Sequence, residues 1–113
     1  MSLEISHKEA APGTMLVTLT GKLMLGSDGA GIPDIVDGFL REGKHTVVFD
    51  LSGITVIDST GIGRFIAAFN KIVNAGGEMR MAGASGHVFQ SFHVSLLDQV
   101  FPFFDTVEQA LQP

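Results

Sequence analysis

The segment Val56-Ile57-Asp58-Ser59-Thr60-Gly61-Ile62-Gly63 joins an apolar, strand-like run to an amphipathic helical stripe. That junction limits what the chain can fold into, because a strand feeding directly into a helix is the repeating unit of α/β folds. After it, Ile62, Phe65, Ile66, Phe69, Ile72 and Val73 recur at helical spacing and predict one buried face. Burying side chains of this kind stabilises by roughly 1.5–3 kcal/mol each before entropy is subtracted. Asn74-Ala75-Gly76-Gly77 ends the pattern. Ser59 falls where the helix would be capped, with Thr60 able to share that role, and a cap contributes about 1 kcal/mol. Asp58 reads as a turn residue near the positive end of the helix. On the opposite face lie Gly63, Ala67, Asn70, Lys71 and Asn74, the first two of them small.

The flanking segments repeat the unit. Leu3 to Glu9 alternates as a half-buried strand, Ala11-Pro12-Gly13-Thr14 is a turn, and Met15 to Thr20 alternates again. This predicts an antiparallel hairpin. Gly21 to Gly31 is a glycine-rich connection. Ile32, Ile35, Val36, Phe39 and Leu40 then form a helical stripe with Pro33 in its first turn and Gly43 at its C-cap. Thr46 to Leu51 reads as a central strand broken by Ser52-Gly53, with Ile54 to Ile57 a second brief stretch. Glu78 to Ala82 is a strand. Ser85 opens a short helix through Val88, Phe89 and Phe92. Val100 to Phe103 is strand-like, and Pro102 places it at a sheet edge. Asp105-Thr106-Val107-Glu108 starts a last short helix. The order predicts one α/β domain over residues 1–113, with a mixed sheet of about five strands and about four helices, parallel from the third strand on.

Composition removes several function classes. The net charge is −5 and the seven Lys and Arg are scattered, which argues against nucleic-acid binding. There is no cysteine, hence no disulfide framework, thiol nucleophile or cysteine metal site. No window approaches the length of a membrane span, and no basic and apolar leader opens the chain. A cytoplasmic protein without cofactor or metal is expected.

Four sharper readings fail on detail. Gly61-x-Gly63-x-x-Ile66 opens a helix as a dinucleotide fingerprint does, but its third glycine is missing. Asp58-Ser59-Thr60-Gly61 spaces Asp and Gly wrongly for an aspartic protease, and the helix that follows denies the loop geometry. A serine triad lacks its elbow pattern, and His87 and His93 share no helix face. No P-loop is present, since Leu23 stands where the Ser or Thr after Lys22 would be.

Val47-Val48-Phe49-Asp50-Leu51-Ser52, followed by Ile57-Asp58-Ser59-Thr60-Gly61-Ile62-Gly63, resembles the anti-sigma factor antagonists of the STAS-domain family. Ala75-Gly76-Gly77-Glu78-Met79 and Leu97 to Leu111 resemble the family's later segments, so the resemblance runs along almost the whole chain. It implies the STAS fold and a partner-switching role in transcription regulation. The unphosphorylated protein would bind an anti-sigma factor that is a serine kinase, freeing a sigma factor. Phosphorylation on Ser59 would end that binding, and a protein serine phosphatase would restore it. The chain would then be a phosphoacceptor and binding module, not an enzyme. Asp58, Thr60, Gly61, Gly63, Arg64, Ala67 and Met24 are the expected partner-binding residues. A homodimer is left open. The alternative is a non-switching STAS subunit of a sensory complex or lipid transporter. One departure stands out: the family often has Gly-Glu-Leu-Asp where this chain has Gly21-Lys22-Leu23-Met24.

Overall fold

A computed structural model describes residues 3–26 and 28–113. Five strands form one sheet: β1 (Leu3–Ala11), β2 (Thr14–Leu23), β3 (Thr46–Ile57), β4 (Glu78–Ala82) and β5 (Phe103–Phe104). Their order in space is their order in sequence. β1 and β2 are the expected hairpin, and every later pairing is parallel. Four helices complete the described chain: α1 (Gly31–Arg41), α2 (Ser59–Asn74), α3 (Gly86–Val94) and α4 (Val107–Ala110).

Because the strand order never reverses, right-handed crossovers must put every crossover helix on the same face. The packing agrees. Val17, Val47, Phe49 and Met81 share one buried cluster with Ile32 and Val36 of α1, Phe65 and Ile72 of α2, and Phe92 of α3. The opposite face is covered only in part, where Leu16, Val48 and Ala82 meet Ala110 of α4. Arg80 fastens that helix, its Nη1 donating 2.8 Å bonds to the carbonyls of both Ala110 and Gln112.

The helix ends form as their residues dictate. Gly43 (φ +79°) and Gly76 (φ +79°) supply the left-handed turn after α1 and α2. In each case two back-bonds close the end: Gly43 N–H to Leu40 O and Lys44 N–H to Phe39 O, then Gly76 N–H to Val73 O and Gly77 N–H to Ile72 O. The fourth helix starts at a Thr106 cap, whose hydroxyl accepts from Gln109 N–H at 3.2 Å.

Three expectations are corrected. Ser52-Gly53 does not break the strand: β3 runs unbroken from Thr46 to Ile57. The pairing to β2 shifts register twice, so β3 absorbs extra residues as bulges. Gly53 is needed there, since an added Cβ would lie 2.9 Å from the Leu19 carbonyl oxygen. The helical stripe of α2 is centred differently as well. Phe65, Ala68 and Ile72 are buried, whereas Ile66 and Val73 are 40% and 47% exposed. Finally, the last strand holds only Phe103 and Phe104, and Leu97–Gln99 is a 3-10 turn. Pro102 contributes its carbonyl to Met81 N–H instead.

Candidate functional site

Strand β3 delivers Asp58 to the C-terminal edge of the sheet, beside the end of β2. Ile57 is in register with Leu23. Asp58 N–H donates to the Leu23 carbonyl at 3.3 Å, which locks the two strand ends together. Asp58, in extended conformation (φ −119°, ψ −176°), then caps α2. One carboxylate oxygen accepts from Gly61 N–H at 2.9 Å. The other accepts from Leu25 N–H at 3.0 Å. This corrects the expectation of a Ser59 cap: the aspartate is the cap, and Ser59 is the first helical residue. With two oxygens, the Asp58 carboxylate ties the loop after β2 to the helix start while it caps. The same two backbone donors, Leu25 first and then Gly61, hold the Asp58 carboxyl below the ordinary aspartate value.

Ser59 is therefore relieved of the capping bond and lies exposed at the positive end of α2. Gly61 sets how closely the helix approaches. It is buried, and an added Cβ would strike the Leu23 carbonyl oxygen and lie 2.9 Å from Leu23 Cγ. Gly63 is the opposite case: it is exposed, with nothing within 4 Å of an added Cβ. Ser59, Gly63 and Ala67 are spaced four apart and form one row along the helix. The row continues to Lys71, whose Nζ pairs with Asp37 of α1 at 3.1 Å.

The remaining expected residues divide. Thr60 and Arg64 are half-buried in α2, and Met24 is half-buried just past β2. Met24 lies between Leu23 and Leu25, both of whose backbones bond Asp58, while Gly61 faces inward. Residue spacing missed the other wall. A groove between α2 and α3 is lined by Ile57, Asp58, Ser59 and Ile62 on one side and by His87, Gln90, Ser91 and Val94 on the other. Val94 on the α3 wall and Leu25, whose N–H bonds Asp58, are 75% and 76% exposed, so two apolar side chains stand open to solvent around this helix start. Leu25 carried a weak signal, an apolar side chain inside a glycine-rich connection. Val94 carried one too, since it falls off its helix's buried face.

Among the described residues, no histidine bonds a serine hydroxyl, and no group of three or more His, Asp or Glu is placed to hold a metal. No described helix is long and apolar enough to cross a membrane. What the site presents is an exposed serine hydroxyl at a helix N-terminus, in a groove where Ile57, Ile62 and Val94 alternate with Asp58, His87, Gln90 and Ser91, on a strand-order-preserving α/β scaffold.

That scaffold and segment define a known class. The profile of the STAS domain matches residues 6–110, and the chain belongs to the STAS-domain family. Among its relatives, an anti-sigma F factor antagonist of Paenibacillus polymyxa is 23% identical over 111 residues, covering 98% of this chain and 92% of the relative. An anti-sigma factor antagonist of Mycobacterium paratuberculosis superposes with a TM-score of 0.83 at 21% identity, covering 97% and 92% of the two chains. The phosphorylated form of the Bacillus cell fate determinant SpoIIAA gives 0.75 at 17% identity, covering 96% of each. A sulfate transporter family protein of Wolinella succinogenes shares the fold too, at 0.72 and 18% identity, covering 92% and 86%. The fold alone is thus common to more than one role.

Proposed function

We propose that this chain is an anti-sigma factor antagonist whose binding is switched by phosphorylation of Ser59. The observation that carries the reading is the division of labour at the start of α2. Asp58 does the capping, and Ser59 stands exposed one residue later in an open groove of mixed apolar and polar lining. The relatives' roles support the first half of the proposal and the placement of the hydroxyl supports the second.

The chemistry follows from charge. A phosphoserine carries about −1.5 to −2 charges at neutral pH, and a helix N-terminus accommodates it. The modified domain therefore keeps its fold. At a closed interface the same dianion lies desolvated next to the Asp58 carboxylate, which its backbone bonds hold ionised. Without a matching cation the partner leaves. The unmodified partner surface comprises the Ser59, Gly63, Ala67 row, with Thr60 and Arg64 beside it and Met24 and Leu25 on the adjoining loop. Gly61 acts from beneath by seating the helix. The kinase brings its own catalytic groups, so this chain needs only to present the hydroxyl as ligand and substrate. A serine phosphatase resets it.

Incubation with the cognate anti-sigma kinase and ATP, followed by peptide mass mapping, tests this. A single phosphate on Ser59, absent from Ser59→Ala, is expected. An unmodified Ser59, together with Ser59→Asp binding the kinase as tightly as the natural chain, would overturn it. Copurification with a transporter, with Ser59→Ala leaving its function intact, would favour the subunit role instead.

A further inference from the structure

The open edge of the sheet carries a self-complementary charge pattern. β1 is an outermost strand, and among the described residues nothing pairs with its free side. Edges of this length are usually blunted by proline, a bulge or charged side chains, and a charge repels an incoming strand only where it meets a like charge. Residues 3–9 contain no proline or glycine, and their pairing with β2 stays regular up to Glu9, where the register shifts. The regular stretch thus has seven residues, with Ser6 at its centre. Leu3 lies in the core beneath the helices and the His7 ring lies against Phe39 of α1. By strand alternation Glu4, Ser6 and Lys8 point to the opposite, open face. All three are exposed, and neither Glu4 nor Lys8 makes an ion pair with a described residue.

We propose that β1 pairs antiparallel with β1 of a second copy, joining two sheets about a two-fold axis through Ser6. The axis must stand perpendicular to the sheet, so each residue meets one of its own parity and the centre must be a residue. Centring on Ser6 sets Glu4 against Lys8 of the second copy, twice, and uses all seven regular positions. Centring on Lys8 sets Lys8 against itself, and centring on Ile5 or His7 leaves both charges unmatched. Opposite charges directly across a strand pair are favourable, and like charges are not. This edge is distant in the sheet order from the α2–α3 groove, so it adds a second surface to the one that holds Ser59.

The chain has no cysteine, which makes the geometry directly testable. At the axis the two Ser6 Cβ atoms would stand about 4.5–5.5 Å apart. Two Glu4 residues would lie about 13 Å apart along the strands. Ser6→Cys is expected to form a disulfide-linked dimer on mild oxidation, with Glu4→Cys and Lys8→Cys lagging far behind. In sedimentation equilibrium, Glu4→Lys or Lys8→Glu alone is expected to raise the dimer dissociation constant about tenfold or more, and the double exchange to restore it. A natural chain that stays monomeric at every concentration, equal cross-linking of all three cysteine variants, or single reversals without effect would each overturn the proposal.

Discussion

Replacing Gly61 by alanine, with Gly63→Ala alongside, isolates one close approach. Both glycines lie in α2, so both substitutions gain helix propensity of about 0.8–1 kcal/mol. Only one meets an obstacle. The Gly61 Cβ would overlap the Leu23 carbonyl oxygen, lie 2.9 Å from Leu23 Cγ and 3.0 Å from Ile57 Cγ1, while nothing lies within 4 Å at Gly63. The worst of these neighbours is backbone, and it is held by the Asp58 N–H bond, so it cannot swing aside. Overpacking of this kind costs about 1–3 kcal/mol. Propensity cancels in the comparison, so Gly61→Ala should be less stable than Gly63→Ala by at least that cost. Gly63→Ala itself should be slightly more stable than the natural chain. Urea unfolding with a common slope measures both. Gly61→Ala as stable as Gly63→Ala would refute the claim that this glycine sets the helix against β2.

Other expectations follow from single contacts. The Asp58 carboxyl is lowered in the folded state below its ordinary 3.8, so its contribution to stability is complete above that value and is lost as pH falls through the lowered pKa. Asp58→Asn should therefore flatten the acid limb of a urea-midpoint profile, and an unchanged limb would contradict the two-pronged cap. Arg80→Met should release the C-terminal turn at a loss of about 1–3 kcal/mol, since two carbonyls lose a charged donor; limited proteolysis should then clip the chain near residue 107. Leu96 is held at φ +62° while 61% exposed, so Leu96→Gly should stabilise the fold by up to about 1 kcal/mol, read as a higher urea midpoint.

The fold was legible in the sequence because its signals are local and repeat. Glycines after α1 and α2, alternation in the hairpin and the apolar run of β3 each announce their element. Ser52-Gly53 misled because a bulge and a strand break share one signature, and only pairing with β2 distinguishes them. Ile66 and Val73 fell into the stripe because periodicity cannot locate its centre, which the close packing at Gly61 fixes instead. The site was half legible. Ser59 stood out by position, but its freedom from capping depends on Leu25, which is 33 residues from Asp58 in sequence. His87, Gln90 and Val94 enter only through the crossover that brings α3 beside α2. A phosphate on Ser59 is implied by the family resemblance alone, and the helix N-terminus beneath it is the reason a phosphate there would leave the fold intact.

The affinity of an anti-sigma factor for the unmodified and the Ser59-phosphorylated chain, measured by titration calorimetry, tests the central claim most directly. A burial penalty of about 4 kcal/mol predicts binding about a thousandfold weaker after phosphorylation, with the far-ultraviolet circular dichroism of the free domain unchanged. Equal affinity of the two forms, or a phosphorylated domain that has lost its structure, would contradict it.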